Sequence, residues 1–337
     1  MLREAISAVV SGRNLTEWEA EQAMEAIMTG EATPVQAGAL LVALRMKGET
    51  VDELTGFARV MQQKVLRVNC RSANLVDTCG TGGDGLSTFN VSTAAAFVVA
   101  GAGVPVAKHG NRSMSSRCGS ADVLEALGVC IALPPDEVAA CVDEVGIGFM
   151  FAQTYHPAMR HAAPVRRELG IRTVFNILGP LTNPAGAKRQ LIGVPRPELA
   201  PQVAEVLARL GSERAMVVYG EPGMDELSTV GPSFVAELRD GDVTTYTLDA
   251  SALGLPRTAL KHVVGSGAAE NAAILSRVLA GEMGPARDIV LLNAAAGLVV
   301  GGLTSDIREA LSLARRSLDS GAAAERLNEL RKRTPAQ

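Results

Sequence analysis

The run Asp77-Thr78-Cys79-Gly80-Thr81-Gly82-Gly83-Asp84-Gly85-Leu86-Ser87-Thr88-Phe89-Asn90-Val91-Ser92-Thr93 gathers residue types that together can hold a phosphate. Four glycines in six residues let a backbone turn sharply, approach a ligand closely and aim successive N–H groups into one concavity. A helix beginning near Asn90 to Thr93 adds unsatisfied amides and hydroxyls, and the whole suits a phosphate or diphosphate. The Gly-Lys-Ser/Thr ending of a Walker loop is missing, as is the dinucleotide fingerprint, which leaves a phosphosugar as the better fit. A plain tight turn is the competing account. Asp84 weighs against it: alone it would repel phosphate, but a divalent cation between the two gives it a task, since Mg²⁺ is commonly held by carboxylates plus substrate phosphates. Asp225-Glu226, within EPGMDELS, is a second acidic pair that could complete such a site, although an isolated pair of this kind is usually solvated surface.

A second polar block, Lys108-His109-Gly110-Asn111-Arg112-Ser113-Met114-Ser115-Ser116-Arg117-Cys118-Gly119-Ser120, lies between an expected strand and an expected helix. Its cations can clamp phosphate while its hydroxyls and amides complete the shell. Lys108 is the candidate for a diphosphate, and Ser115, Ser116 and Ser120 for a monophosphate or the diphosphate. His109 has the right pKa range for a general base, but no partner in the sequence would orient it, and a wall or hinge role is an equal reading. His156, in Tyr155-His156-Pro157, and His161 admit the same two readings, whereas His262 carries no supporting motif and reads as structural or solvent-facing. In PVRRELG the adjacent Arg166 and Arg167 fall on different faces of one helix, so only one of them needs to face a ligand.

These loops need a scaffold, and the sequence proposes one. Thr16 with Glu19, Thr33 with Gln36 and Thr50 with Glu53 are three capping-box patterns, so the start of the chain reads as three or four short helices. Such a bundle encloses little core by itself and should pack on a larger body or on a second copy of itself. From Leu75 onward strand-like segments alternate with Ala-rich helices. Strands are expected at Leu75-Val76-Asp77, 104–108, 215–219, 234–238 and 243–248, with a further candidate at 171–175. Helices are expected at 89–102, around Val123 to Leu127, 161–170, 269–279, 288–300 and 305–331. This pattern implies an α/β fold in which a small helical domain packs on a larger, mainly parallel sheet with helices on both faces, with ligands beyond the carboxyl ends of the strands. The domains expected are 1–68, with a returning segment near 160–185, and 69–159 with 186–333.

Composition bounds the function. With 47% apolar and 20% charged residues the chain can build a sizeable core, and a net charge of -4 without a long basic run gives no reason to expect nucleic acid as a partner. The five cysteines are odd in number and unpaired in spacing, which reads as reduced thiols. The apolar runs are interrupted by glycine and too short for membrane spans. A soluble, cytoplasmic protein is expected.

The block Asp77 to Thr93, the block KHGNRSMSSRCGSADVLEALG, and the motifs GFMFAQTYHPAMR and PVRRELGIRTVFNILGPLTNP resemble those of the anthranilate phosphoribosyltransferases, a family of tryptophan biosynthesis. The likeness covers nearly the whole chain, and no expected functional position is substituted. It implies transfer of 5-phosphoribosyl from phosphoribosyl pyrophosphate to the amine of anthranilate. The resemblance implies that the donor is held by Gly80, Gly83, Asp84, Thr88, Asn90, Val91, Ser92, Thr93, Lys108, Gly110, Asn111, Arg112, Ser113, Ser115, Ser116 and Ser120. Anthranilate would meet Gly80, His109, Asn111, Tyr155, Arg166 and Gly179. Mg²⁺, as two ions with the diphosphate, would involve Ser92, Asp225 and Glu226, and Lys108, Arg166, Asp225 and Glu226 would carry catalysis. A homodimer through the helical domain is also implied. The nearest rival is a pyrimidine nucleoside phosphorylase, from which the GTGGDG loop and the VRRELGIRTVFNILGPLTNP region distinguish this chain. A non-catalytic phosphoribosyl-binding regulator is the rival of another class; release of pyrophosphate with both substrates present discriminates against it.

Overall fold

The computed structural model describes residues 1–113 and 117–335. Four helices open the chain: α1 (Leu2–Val10), α2 (Glu17–Thr29), α3 (Pro34–Lys47) and α4 (Val51–Lys64). All three capping boxes form, with the Thr16, Thr33 and Thr50 side chains each accepting from the N3 amide while the N3 side chain returns to the cap. Glu53 does more than cap: fully buried, it also accepts from the Leu15 amide at 2.9 Å and pairs with Lys47 at 2.9 Å, so one carboxylate ties together three segments of the bundle.

The larger body is a seven-stranded sheet of β1 (Val76–Gly80), β2 (Val106–Gly110), β3 (Ile147–Phe151), β4 (Arg189–Gly193), β5 (Arg214–Gly220), β6 (Ser233–Arg239) and β7 (Asp242–Leu248). Its order is β3-β2-β1-β4-β5-β6-β7; the first five strands are parallel and β6 and β7 run antiparallel. Alternation along the central strands sends Leu191, Met216 and Val218 into one core and Ile192, Ala215 and Val217 into the other. The first core is covered by α5 (Val91–Gly101) and by the helices Pro285–Gly301, Ile307–Asp319 and Ala322–Arg333. The second is covered by the helix Leu199–Arg209 together with the N-terminal bundle, so the bundle is packed onto the sheet and not left as a separate body. Ala162, Val165, Phe175 and Leu178 of the returning segment belong to that same core.

Three expectations change. The candidate strand at 171–175 is not one: Asn176 Oδ1 accepts from the Thr173 amide at 2.9 Å and the chain turns into the short helix Phe175–Leu178. The single helix expected at 305–331 is two, divided at Gly321, whose φ of +79° no helix interior adopts. The sequence reading also passed over β3 and β4; all five residues of β3 are buried, so no alternation marked it. Among the described residues no helix is long and apolar enough to cross a membrane.

Candidate active site

The chain leaves β1 toward β2 and β3 on one side, then returns to place β4 and β5 on the other, so the sheet's switch point lies between β1 and β4. Ligands of open α/β sheets bind in the crevice there, at the carboxyl ends. The glycine loop leaves β1 at Gly80, the lysine block leaves β2 at Gly110, and the acidic pair follows β5 after Gly220. They meet in one cleft with a volume of about 710 Å³.

Close approach explains two of the glycines. Asp225 presses across the switch point so tightly that a Cβ on Gly80 would lie 2.1 Å from its Oδ2, and one on Gly193 would lie 1.5 Å from its carbonyl oxygen. The Gly82 amide donates to Asp225 Oδ2 at 2.7 Å, fixing the glycine loop to the acidic pair. Glu226 Oε1 accepts from the Ser92 amide at 2.9 Å, tying the pair also to the first turn of α5.

Charge in this corner is uncomfortable without a cation. Burial, then the neighbouring Asp84, pushes Asp225 up to about 6, and burial, then Asp225, pushes Glu226 up to about 8. Asp84 is raised as well, chiefly by burial, and its Oδ2 is buried with no hydrogen-bond partner. An orphaned carboxylate oxygen beside two proton-hungry carboxyls is a donor set that a hard cation suits. Among the described residues no three His, Cys, Asp or Glu side chains could hold an ion unaided, which fits Mg²⁺ completed by phosphate oxygens and water better than an all-protein cage.

Lys108, 2% exposed, donates to the Thr78 carbonyl and reaches Ser92 Oγ at 3.4 Å, which sets its ammonium between β1 and α5. Thr93 Oγ1 is buried without a partner at the start of α5, the end where helix amides favour an anion. Ser120 begins α6 (Ser120–Ala126), with Gly110 kept small because a Cβ there would lie 2.1 Å from Ser120 Oγ. Arg112 lines the cleft, but its guanidinium is paired with Asp122 at 2.9 Å and Glu125 at 2.5 Å and stacks 5.5 Å from the Phe151 ring centre.

On the opposite wall, Arg166 of the helix Ala163–Leu169 is half-buried, lies 5.2 Å over the Phe175 ring and has its pKa lowered by burial, while Arg167 is exposed. Gly179 and His109 stand nearby in the lining. His109 is no base. Burial, then His156, pulls it down to about 3, and its Nε2 shares a hydrogen bond with His156 Nε2 at 3.2 Å. His156 falls to about 4 by burial.

Most of the residues expected from sequence line the cleft: Gly80, Gly83, Asp84, Thr88, Asn90, Ser92, Thr93, Gly110, Asn111, Ser113 and Ser120 join those just described. Ser115 and Ser116 lie outside the described residues. Two expectations are corrected. Tyr155 is fully buried against Val65, Leu75 and Met150, its hydroxyl donating to the Leu133 carbonyl at 2.9 Å, so it does not reach the cleft. Val91 sends its side chain into the core and its amide to the Phe89 carbonyl at 2.6 Å, leaving nothing for a ligand.

The sequence reading missed Arg172, which donates to the Thr81 carbonyl at 3.1 Å and sits within the field of Asp225 and Asp84. It also missed Asp77, pushed up to about 6 by burial, which accepts from Asn183 Nδ2 at 2.8 Å and from the His109 amide at 3.2 Å. Arg172 could have been found as a lone cation two residues after the helix-ending Gly170; nothing in the sequence marks Asp77 as the end of a network.

The histidine pair predicts a pH dependence. Both rings are neutral when folded and gain protons readily only when unfolded, so the unfolded state binds more protons between about pH 4 and 6.5 and stability falls with acid across that window. His109→Gln with His156→Gln should flatten this part of the curve in thermal melts taken at steps of pH. An unchanged acid slope would mean the rings are not buried neutral.

A helical bundle joined to a sheet that carries a phosphate cleft and an acidic pair defines a class of glycosyl-transferring proteins. Residues 3–65 match the glycosyl transferase family helical bundle domain and residues 72–324 its a/b domain, and the chain belongs to that family. Within it, the chain belongs with the anthranilate phosphoribosyltransferases. That of Moorella thermoacetica is 58% identical over 98% of this chain and 97% of its own length. The crystal structure of the Thermus thermophilus enzyme is 48% identical with a TM-score of 0.92, covering 98% of each chain. The Saccharomyces cerevisiae enzyme in complex with PRPP and Mg is 28% identical with a TM-score of 0.90, covering 98% of this chain and 97% of that one.

Proposed function

We infer that this chain performs the reaction of its family, transferring 5-phosphoribosyl from phosphoribosyl pyrophosphate to the amine of anthranilate with release of pyrophosphate, and that it does so in the cleft at the sheet's switch point. The observation that carries the reading is the convergence of the glycine loop and the Asp225-Glu226 pair, locked by the 2.7 Å bond from the Gly82 amide, across from the Arg166 guanidinium.

Asp225, Glu226 and Asp84, with Ser92 beside them, would hold two Mg²⁺ ions together with the diphosphate, and these would supply positive charge to it. Lys108 adds a fixed ammonium on the same side, and the loop amides with the Thr93 hydroxyl and the start of α5 seat phosphate oxygens. Arg166, stiffened by its stack on Phe175, takes the acceptor carboxylate and leaves the ortho amine facing the sugar carbon. As the glycosidic bond breaks the ribose gains oxocarbenium character, and attack from the far face inverts that centre. An aryl amine is neutral at pH 7, so no base is required before attack, in keeping with a His109 that burial pulls down to about 3.

A homodimer through the helical bundle accompanies this reading, supported by the exposed Val10, Trp18, Val35 and Met46. The five free cysteines accord with a reducing, cytoplasmic setting. The deciding experiment mixes protein, Mg²⁺, phosphoribosyl pyrophosphate and anthranilate and follows loss of anthranilate fluorescence alongside pyrophosphate. Equimolar changes are expected; pyrophosphate that forms independently of the acceptor, or not at all, removes the assignment.

A further inference from the structure

Asn90 stands at the N-cap of α5, yet its side chain accepts nothing from the helix it begins. Its amide is engaged elsewhere: Nδ2 donates to the Cys118 carbonyl at 3.2 Å, and Oδ1 accepts from Asn271 Nδ2 at 3.0 Å. The direction of this chain of bonds is fixed from outside. The Ser266 backbone N–H can only donate, and it meets Asn271 Oδ1 at 2.9 Å. Asn271 must therefore present its NH₂ to Asn90, and Asn90 must answer with oxygen. By elimination, the Asn90 NH₂ points to the Cys118 side, and Asn90 and Cys118 both line the cleft whereas Asn271 does not.

Asn271 is held in place. It is 2% exposed in the helix Ala268–Leu279, and a Cβ on Gly265 would lie 2.1 Å from its Oδ1. The segment before that helix is strapped to the end of the glycine loop by Gly265 N–H to the Ser87 carbonyl at 2.8 Å and Phe89 N–H to the Val263 carbonyl at 3.1 Å.

We propose that Asn271 is a positioning residue for the phosphoribosyl donor: without touching the ligand, it sets the polarity of the Asn90 amide so that an N–H donor, and not a carbonyl oxygen, meets the anionic oxygens in the cleft. The proposal rests on reading Asn90 as a donor contact. Asn271→Asp keeps the shape and the acceptor for Ser266 but puts a second acceptor against Asn90, which must then turn its NH₂ away and show oxygen to the phosphate. Asn271→Ala only releases the Asn90 amide and leaves a small void.

The test measures KM for each substrate, kcat, the Kd of phosphoribosyl pyrophosphate with Mg²⁺ by calorimetry, and thermal melting. N271D is expected to raise donor KM and Kd about tenfold or more, with kcat and anthranilate KM within about threefold of wild type. N271A is expected to raise donor KM less than N271D while losing more thermal stability. A residue that only fills space would reverse the donor ranking, with N271A the worse in both readouts, and that result overturns the proposal; so does an unchanged donor Kd in both variants. Should N271D fail to fold, N271A alone decides: a donor KM raised about threefold at constant anthranilate KM supports the role, and no change overturns it. Wild-type protein that binds no phosphoribosyl pyrophosphate would bring down the reading of the site itself, whereas normal wild-type binding with indifferent variants brings down only Asn271.

Discussion

Replacing Asp225 by Asn and Glu226 by Gln together is expected to lower kcat by about three orders of magnitude, a loss of roughly 4 kcal/mol of transition-state stabilisation, and to leave a residual rate that no longer responds to Mg²⁺. The same variant is expected to be at least as stable as the wild type without ligands. Burial, with repulsion from Asp84 on Asp225 and from Asp225 on Glu226, raises these two carboxyls to about 6 and about 8, so the folded protein holds more protons than the unfolded chain between about pH 4 and 8. Stability from this corner is therefore greatest below pH 4 and is lost as pH rises through that window. The neutral amides keep the shape, remove the repulsion and should abolish that part of the slope. Mg²⁺ with phosphoribosyl pyrophosphate should raise the melting temperature of the wild type more at pH 8 than at pH 6, and should not raise that of the variant. Mg²⁺-dependent turnover within tenfold of wild type would remove the pair from the catalytic role. A collapse of ligand-free stability would show instead that the carboxylates hold the fold together.

The bundle was legible because its signals are local. A capping box is a contact between residues three apart, so Thr16, Thr33 and Thr50 announce their helices without help from the rest of the chain. Strands β6 and β7 were legible for a related reason, since β7 is largely exposed and its composition separates it from a helix. Strand β3 was not, because a strand buried on both faces has the same apolar texture as a core helix. The division of the last long helix turns on Gly321, and a glycine in a helical pattern does not by itself declare a positive φ.

The site follows the same division. Glycines, carboxylates and Lys108 were readable because phosphate chemistry calls for those residue types and each of them sits in a short polar block of the sequence. What the sequence could not contain were the contacts made across it. Asp225 lies 143 residues from the Gly82 amide it accepts from, and Asn271 lies 181 residues from Asn90. Tyr155 illustrates the reverse error: the resemblance placed it beside the acceptor, but in this chain it is fully buried with its hydroxyl committed to the Leu133 carbonyl.

Arg166→Ala is expected to raise the anthranilate KM about a hundredfold, close to 2.7 kcal/mol, while the Kd of phosphoribosyl pyrophosphate moves less than about threefold. The asymmetry follows from position. Arg166 stands on the wall built by the returning segment, with its guanidinium over Phe175, whereas the groups that seat the donor come from the ends of β1, β2 and β5. Burial already makes its charge costly to hold, so a carboxylate entering the cleft meets a cation partly stripped of water, where the pairing is stronger than at a surface. Arg166→Lys should recover little of this, since an ammonium offers neither the planar fork nor the stack on the ring. Arg167→Ala, one residue on and exposed, should cost far less and controls for damage to the helix. Steady-state kinetics with each substrate varied, alongside calorimetry of the donor, separates the outcomes. If Arg166→Ala weakened donor and acceptor equally, the arginine would be supporting the wall and not reading the carboxylate, and the acceptor would have to be recognised by some other group in the cleft.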